Sequence, residues 1–383
     1  MARGSVEKRG DSWTIRYDLP PAPDGERRQK RETFNTKREA EKALTKRLAE
    51  INEGEYVNPS DMSFADFLDD WIQSHSQNLK DTTASQYRQH IRNHIKPGLG
   101  KLKISNIEPL HLQRFYQQKL TSGRKDGREG GLSKRTVEYL HSIINKALDY
   151  AVKWQIIKKN PAKVVDPPRP EHKEMSYWDS DEVEKFLHHV KCDRLYPLYH
   201  LALTTGMRQG ELLGLQWEDV DFEEGTVQVR QVLSRTNDGN ISLSSPKTPS
   251  SRRTIGISDS VVSTLRRHRI RQNEEKLKVP EYIDNGLVFA SEVGTAIRPR
   301  NLLRNFKRLT REAGLSEIRF HDLRHTHATM MLKSGVRAEI IAKRHGHRDV
   351  STTINTYTHV TADLQKDAAE ALERQIGGKH NGS

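Results

Sequence analysis

The sequence predicts a multidomain α+β protein that is mainly helical. A small N-terminal three-stranded sheet with one helix leads into a helical bundle, followed by a mixed, mostly α-helical domain with a small β-sheet. Three observations carry this expectation. The chain has 383 residues, room for two or three cores at roughly 150 residues per domain. Its apolar residues recur with period two near the start and with helical period afterwards. Proline-rich residues 166–170 (DPPRP) then interrupt the helical pattern and mark a hinge.

Taken in order, residues 13–18 alternate as a strand, 20–25 cluster turn formers, and 31–34 resume an extended pattern. Thr36 with Glu39 makes a capping box, and Ala40, Leu44 and Leu48 form a narrow apolar stripe on a charged helix. Residues 53–62 hold turn formers without periodicity, and Ser63 with Asp66 signals the next helix start. From 62 to 163 the pattern is helical. Phe64, Phe67, Leu68 and Trp71 share one face, as do Tyr87, Ile91 and Ile95, and then Val137, Leu140, Ile144, Ala147 and Ala151. Such stripes are expected to be core. Asn160-Pro161 weakens the pattern before the hinge.

The remainder is mixed. Asp179 and Glu182 cap a helix through Val190, residues 226–232 alternate as a strand, and Asp238-Gly239 suggests a hairpin turn. Residues 253–257 look like the continuation of that hairpin, and helices dominate down to a stripe of Leu364, Ala368, Leu372 and Ile376. The expected domains are 1–58, 62–163 and 176–383, with 164–175 as linker. No repeat of fixed period emerges.

Charge narrows the partner. There are 64 Lys and Arg against 51 Asp and Glu, a formal net charge of +13, and residues 62–163 alone hold 18 basic and 9 acidic side chains. A polyanion is the expected partner. Hydrophobic residues at 34% and charged residues at 30% exclude disorder throughout. Cys192, the single cysteine, allows no internal disulfide and no multi-cysteine metal site, which suits a reducing cytoplasm. The charged start and the lack of an apolar run of about eighteen residues lead us to expect neither export nor membrane insertion.

Four spots in the third domain concentrate groups that are expensive to bury without purpose. Arg208 stands at a helix start, with Glu211 one turn later to hold it, ahead of Leu212, Leu213, Leu215 and Trp217. Lys247 lies in the Pro246-Lys247-Thr248 turn that precedes Arg252 and Arg253. His321-Asp322-Leu323-Arg324-His325 places residues 321, 324 and 325 on one helix face, a set that implies an anion. His345-Gly346-His347 is followed, ten residues on, by Tyr357.

The order Arg208, Lys247, His321-x-x-Arg324, His347, Tyr357 resembles the active site of the tyrosine recombinases, also called the phage integrase family. The three-part layout is similar to that of integrases of temperate phages and integrative elements, with an arm-type DNA-binding domain at 1–58 and a helical core-type DNA-binding domain at 62–163. One position departs: the family usually has leucine where this chain has His345.

The resemblance implies a site-specific DNA recombinase that forms a 3′-phosphotyrosyl intermediate, without cofactor, metal or nucleotide hydrolysis. It also implies a homotetramer on double-stranded DNA with core and arm attachment sites, and an accessory bending or excision protein as a further partner. A bacterial, nucleoid-associated location fits. The chemistry is coherent in its own terms. Arg208 and Arg324 each offer a planar fork of donors to the nonbridging oxygens, where charge grows in the pentacoordinate transition state. His347 adds a donor, and His321 can accept or orient the nucleophile's proton. Two guanidiniums favour the phenolate of Tyr357, whose unperturbed pKa is near 10. Lys247 supplies a proton to the departing 5′ oxygen.

Base-reading candidates are Lys134 and Arg135 at the start of a bundle helix, and Arg16 and Arg31 on the small sheet. The C-terminal stripe either completes its own domain or packs on a neighbouring protomer. Alternatives are a DNA-binding regulator that never cuts, a relaxing topoisomerase with the same tyrosine chemistry, and a zinc hydrolase with His321 and His325 as ligands.

Overall fold

The computed structural model describes residues 3–19, 28–53, 56, 60–171, 175–235, 241–245, 251–356, 369 and 372–373. The chain divides into two units, Met1–His172 and Lys173–Ser383. Among the described residues no helix is long and apolar enough to cross a membrane.

The first unit opens with strands β1 (Gly4–Arg9), β2 (Ser12–Asp18) and β3 (Gln29–Phe34), antiparallel in the order β1-β2-β3. Gly10, at φ 59°, makes the tight turn between the first two. Alternation sends Ile15 and Tyr17 onto helix α1 (Lys37–Asn52), where they pack with Ala40, Leu44 and Leu48. Thr36 and Glu39 close the expected capping box. The opposite sheet face is open, and on it Arg16 and Arg31 stand directly across from each other. Like charges at such a pair disfavour the sheet by themselves, so the fold gains nothing from them.

The bundle follows as α2 (Phe64–Ser76), α3 (Asp81–His90), a π-helical stretch at Ile91–Ile95, α4 (Lys96–Leu99), α5 (Pro109–Thr121) and α6 (Lys134–Lys153). Ser63 caps α2 by accepting from the backbone N–H of Asp66. The residues of the three predicted stripes form one buried cluster, with Phe64, Phe67, Trp71, Ile95, Val137 and Ile144 fully enclosed. Burying that many aliphatic and aromatic side chains, at about 1.5–3 kcal/mol each, is what holds this unit.

The second unit contains α7 (Ser180–His189), α8 (Tyr196–Thr205), α9 (Gln209–Leu213), β4 (Val220–Asp221), β5 (Thr226–Val229), β6 (Val232–Arg235), β7 (Ile241–Ser244), β8 (Arg253–Gly256), α10 (Asp259–Lys278), α11 (Pro299–Glu312), α12 (Asp322–Lys333), α13 (Ala338–His345) and α14 (Val350–Thr356). Asp179 and Glu182 form the predicted capping box on α7. Trp178, Phe186, Tyr199, Phe306 and Phe320 pack ring against ring at the centre of its core.

Two strand expectations are corrected. Residues 226–232 are not one strand: β5 pairs with β4 and β8, whereas β6 pairs with β7 in a separate two-stranded sheet. The break falls at Arg230 and Gln231, where Arg230 reaches Asp219 at 3.3 Å and the Gln231 amide donates to Gln216 at 2.6 Å. These polar anchors turn the chain while leaving the hydrophobic alternation unbroken, so periodicity does not reveal them. Residues 253–257 do not continue the β6-β7 hairpin; β8 pairs with β5, Val229 facing Arg253. The predicted turns at 20–25 and at Asp238-Gly239 lie outside the described residues. The C-terminal stripe does too, except for Leu372, which is exposed.

Candidate active site

The site is built where the end of α8 meets the start of α9. Gly206 ends α8 in the left-handed region at φ 64°, and Arg208, in extended conformation, caps α9. A carboxylate then locks the arginine. Glu211 accepts from the Arg208 backbone N–H at 2.9 Å and from Arg208 Nη1 at 2.9 Å. The same carboxylate accepts from Arg253 Nη1 at 3.1 Å and Nη2 at 2.8 Å. The side chains of Glu211 and Arg253 are 2% and 6% exposed, but that of Arg208 is 37% exposed. One anion therefore anchors two cations, one enclosed and one presented outward. Burial raises the Glu211 pKa, yet the Arg253 hydrogen bonds and the charges of Arg253 and Arg208 outweigh it and leave the carboxyl below its usual range.

Arg253 is a residue that the sequence reading passed over as a mere neighbour of Lys247. Its signal was available: it shares a strand face with the buried Ile255, and an arginine pointing into a core needs a buried acid.

Arg324, on α12, is 4% exposed. Its Nη1 donates to the Gly206 carbonyl at 2.7 Å and its Nη2 donates to the His345 carbonyl at 2.6 Å. Nη2 also lies 2.9 Å from His347 Nε2. A guanidinium has only donors, so His347 Nε2 is the acceptor, and the proton of the neutral ring sits on Nδ1 and is donated to Thr353 Oγ1 at 2.8 Å. This qualifies the expectation that His347 adds a donor: in this arrangement its N–H is engaged by Thr353, and the ring braces Arg324.

His321 and His325 meet edge to face, with ring centroids 5.5 Å apart. Burial, followed by the charge of Arg324, lowers the His321 pKa, with Asp322 opposing. Burial and then His321 push His325 down to about 4. Burial and then Arg324 and Arg208 push His347 down to about 4. Both arginines thus act on His321 and on His347, which places the four groups in one electrostatic neighbourhood of neutral imidazoles and fixed cations. Asp322 is buried and clamped by Arg319, whose Nη2 donates at 2.7 Å and whose backbone N–H donates at 2.8 Å. It is committed to shaping the turn before α12, not to activating a metal-bound water as the zinc reading required.

Arg208, His321, Arg324 and His347 are therefore brought together, while Lys247 and Tyr357 lie outside the described residues. Of the DNA-reading candidates, Arg16 donates to Gln29 at 2.6 Å and Arg31 is exposed beside it. Lys134 pairs with Glu171 at 2.7 Å, and Arg135 with Glu138 at 3.2 Å. All four are on the surface.

Comparison with known proteins agrees with this site. Residues 176–363 match the phage integrase family, 63–120 the phage integrase N-terminal SAM-like domain, and 5–51 the arm DNA-binding domain. A XerC-like tyrosine recombinase of Caldanaerobacter subterraneus is 34% identical over 357 residues, spanning 88% of this chain and 89% of that protein. The fold is similar to that of the Tn1549 transposon integrase in complex with transposon right end DNA, at TM-score 0.69 and 22% identity over 81% of this chain and 99% of that one. It is also similar to lambda integrase in a tetramer bound to a Holliday junction, at TM-score 0.56 and 18% identity over 90% of this chain and 95% of that one. The chain belongs to the phage integrase family of site-specific tyrosine recombinases.

Proposed function

We propose that this recombinase cuts and rejoins its DNA by attack of the Tyr357 oxygen on a scissile phosphate seated between Arg208 and Arg324. The O–P bond forms as the bond from phosphorus to the 5′ oxygen breaks. Lys247 gives that oxygen a proton, and His321, held neutral, takes the phenolic one. The ester conserves the bond energy, so the 5′ hydroxyl of a partner strand can reverse the step and join a new duplex. The observation that carries this reading is the anchoring of both arginines from behind. Glu211 fixes Arg208, and two carbonyls fix Arg324, so both forks are preorganised for charge that develops only in the transition state.

The reading extends to assembly. A mobile element is integrated and excised at attachment sites, four protomers acting around the junction and an accessory protein assisting. Arg16 and Arg31 would enter a groove from the open sheet face, while Lys134 and Arg135 approach from the start of α6. The work would take place in the bacterial cytoplasm, at the nucleoid. The test is incubation with nicked attachment-site DNA followed by a denaturing gel. Wild-type protein should give a band shifted by linked DNA, and Tyr357→Phe should give none; a shifted band from the variant would overturn the assignment.

A further inference from the structure

Beneath the arginines lies a second pair of imidazoles that the chemistry above leaves unused. His345 is fully buried as the last residue of α13, and its Nε2 is 2.9 Å from Nδ1 of His327, which is 4% exposed. His327 also bonds the backbone of Thr204, to which its remaining N–H donates. A neutral ring carries one proton, so His327 Nδ1 must accept and His345 Nε2 must donate. His345 Nδ1 is then a bare, buried acceptor, with no hydrogen-bond partner among the described residues. Burial holds both rings neutral, with His327 at about 3 and His345 lower still.

The pair sits against both anchors of Arg324. One anchor is the backbone carbonyl of His345 itself. The other is the carbonyl of Gly206, whose Cα is pressed so closely on the two rings that a Cβ there would strike His345 Nε2 and lie 2.8 Å from His327 Nδ1. Arg324 and His327 stand one turn apart on α12. A polar donor in place of the usual leucine therefore ties the end of α13 to α12 at the point where both hold the guanidinium. An unpaired His327 Nδ1 would leave a buried acceptor unsatisfied.

We infer that His345, through its hydrogen bond to His327, is a positioning residue for Arg324. This rests on the reading that Arg324 binds the scissile phosphate, and the experiment separates the two. Single-turnover cleavage of nicked attachment-site DNA at saturating protein, and the dissociation constant for the same DNA, are measured for Arg324→Ala, His345→Leu and His345→Gln. Gln keeps an N–H where Nε2–H lies, while Leu keeps apolar bulk alone. His345→Leu should lower the cleavage rate on the order of 10- to 100-fold, with affinity held within about twofold. His345→Gln should recover the rate to within roughly threefold of wild type. Wild-type cleavage by His345→Leu, or equal slowing by Leu and Gln, would overturn the inference. Should the Leu variant fail to fold, a folded but slow Gln variant would overturn it alone, and a folded, fast one would support it. Arg324→Ala should not cleave; if it does, the phosphate reading itself fails.

Discussion

Glu211→Gln removes a charge at nearly constant shape, and the structure says what that costs. The carboxylate accepts from the Arg208 backbone, Arg208 Nη1 and two nitrogens of Arg253. A carboxamide oxygen can keep two of these bonds, and its NH2 then faces guanidinium N–H groups that cannot accept. Arg253, 6% exposed, is left with a buried charge and no full counterion. Breaking a buried pair from one side costs about 3–5 kcal/mol. In a unit of roughly 200 residues each kcal/mol moves Tm by about 2–4 °C, so the transition of Lys173–Ser383 should fall by roughly 6–20 °C. Below that transition, cleavage of nicked DNA should drop on the order of 100-fold, because Arg208 loses its support. Calorimetry of the full chain and single-turnover cleavage measure the two effects. A Tm within about 2 °C of wild type together with normal cleavage would refute the role given to Glu211.

Three other outcomes follow from the same geometry. His268, His325 and His347 are pushed down to about 4, chiefly by burial, so between 6.5 and about 4 the unfolded chain binds protons that the folded chain refuses. Stability of the second unit should be full above pH 6.5 and fall as pH drops through that window, His268 alone contributing up to about 3 kcal/mol; denaturant melts showing a flat profile from 7 to 4 would contradict this. Gly206→Ala places a Cβ in the left-handed region and against two imidazoles, at an expected loss on the order of 2–5 kcal/mol that chemical denaturation would read. Alanine at both Arg16 and Arg31 should reduce the salt slope of arm-site binding by about 2 if each meets a phosphate, while core-site cleavage stays unchanged; an unaltered slope would remove them from the interface.

Much of this was legible in the chain because it is local. Ser63, Thr36 and Asp179 announce helix starts through hydrogen bonds that span three residues, and the stripe from Phe64 to Trp71 follows from helical spacing. Arg208 with Glu211, and Arg324 with His321, are visible for the same reason. The parts that escaped depend on contacts distant in sequence. The turn at Arg230 and Gln231 needs Asp219 and Gln216 to explain it, and β8 finds β5 across the β6-β7 hairpin. Arg253 reads as a basic residue after a turn until Glu211 is seen 42 positions earlier. His345 stood out as a departure from the family pattern, but its meaning depends on His327, 18 positions away.

The central claim is that a phenolic oxygen carries the broken strand. Protein trapped on nicked attachment-site DNA, digested and sequenced by mass spectrometry, should yield a peptide with a nucleotide 3′-phosphate esterified to Tyr357. An ester on any other residue, or no ester from DNA that the protein demonstrably recombines, would contradict the account.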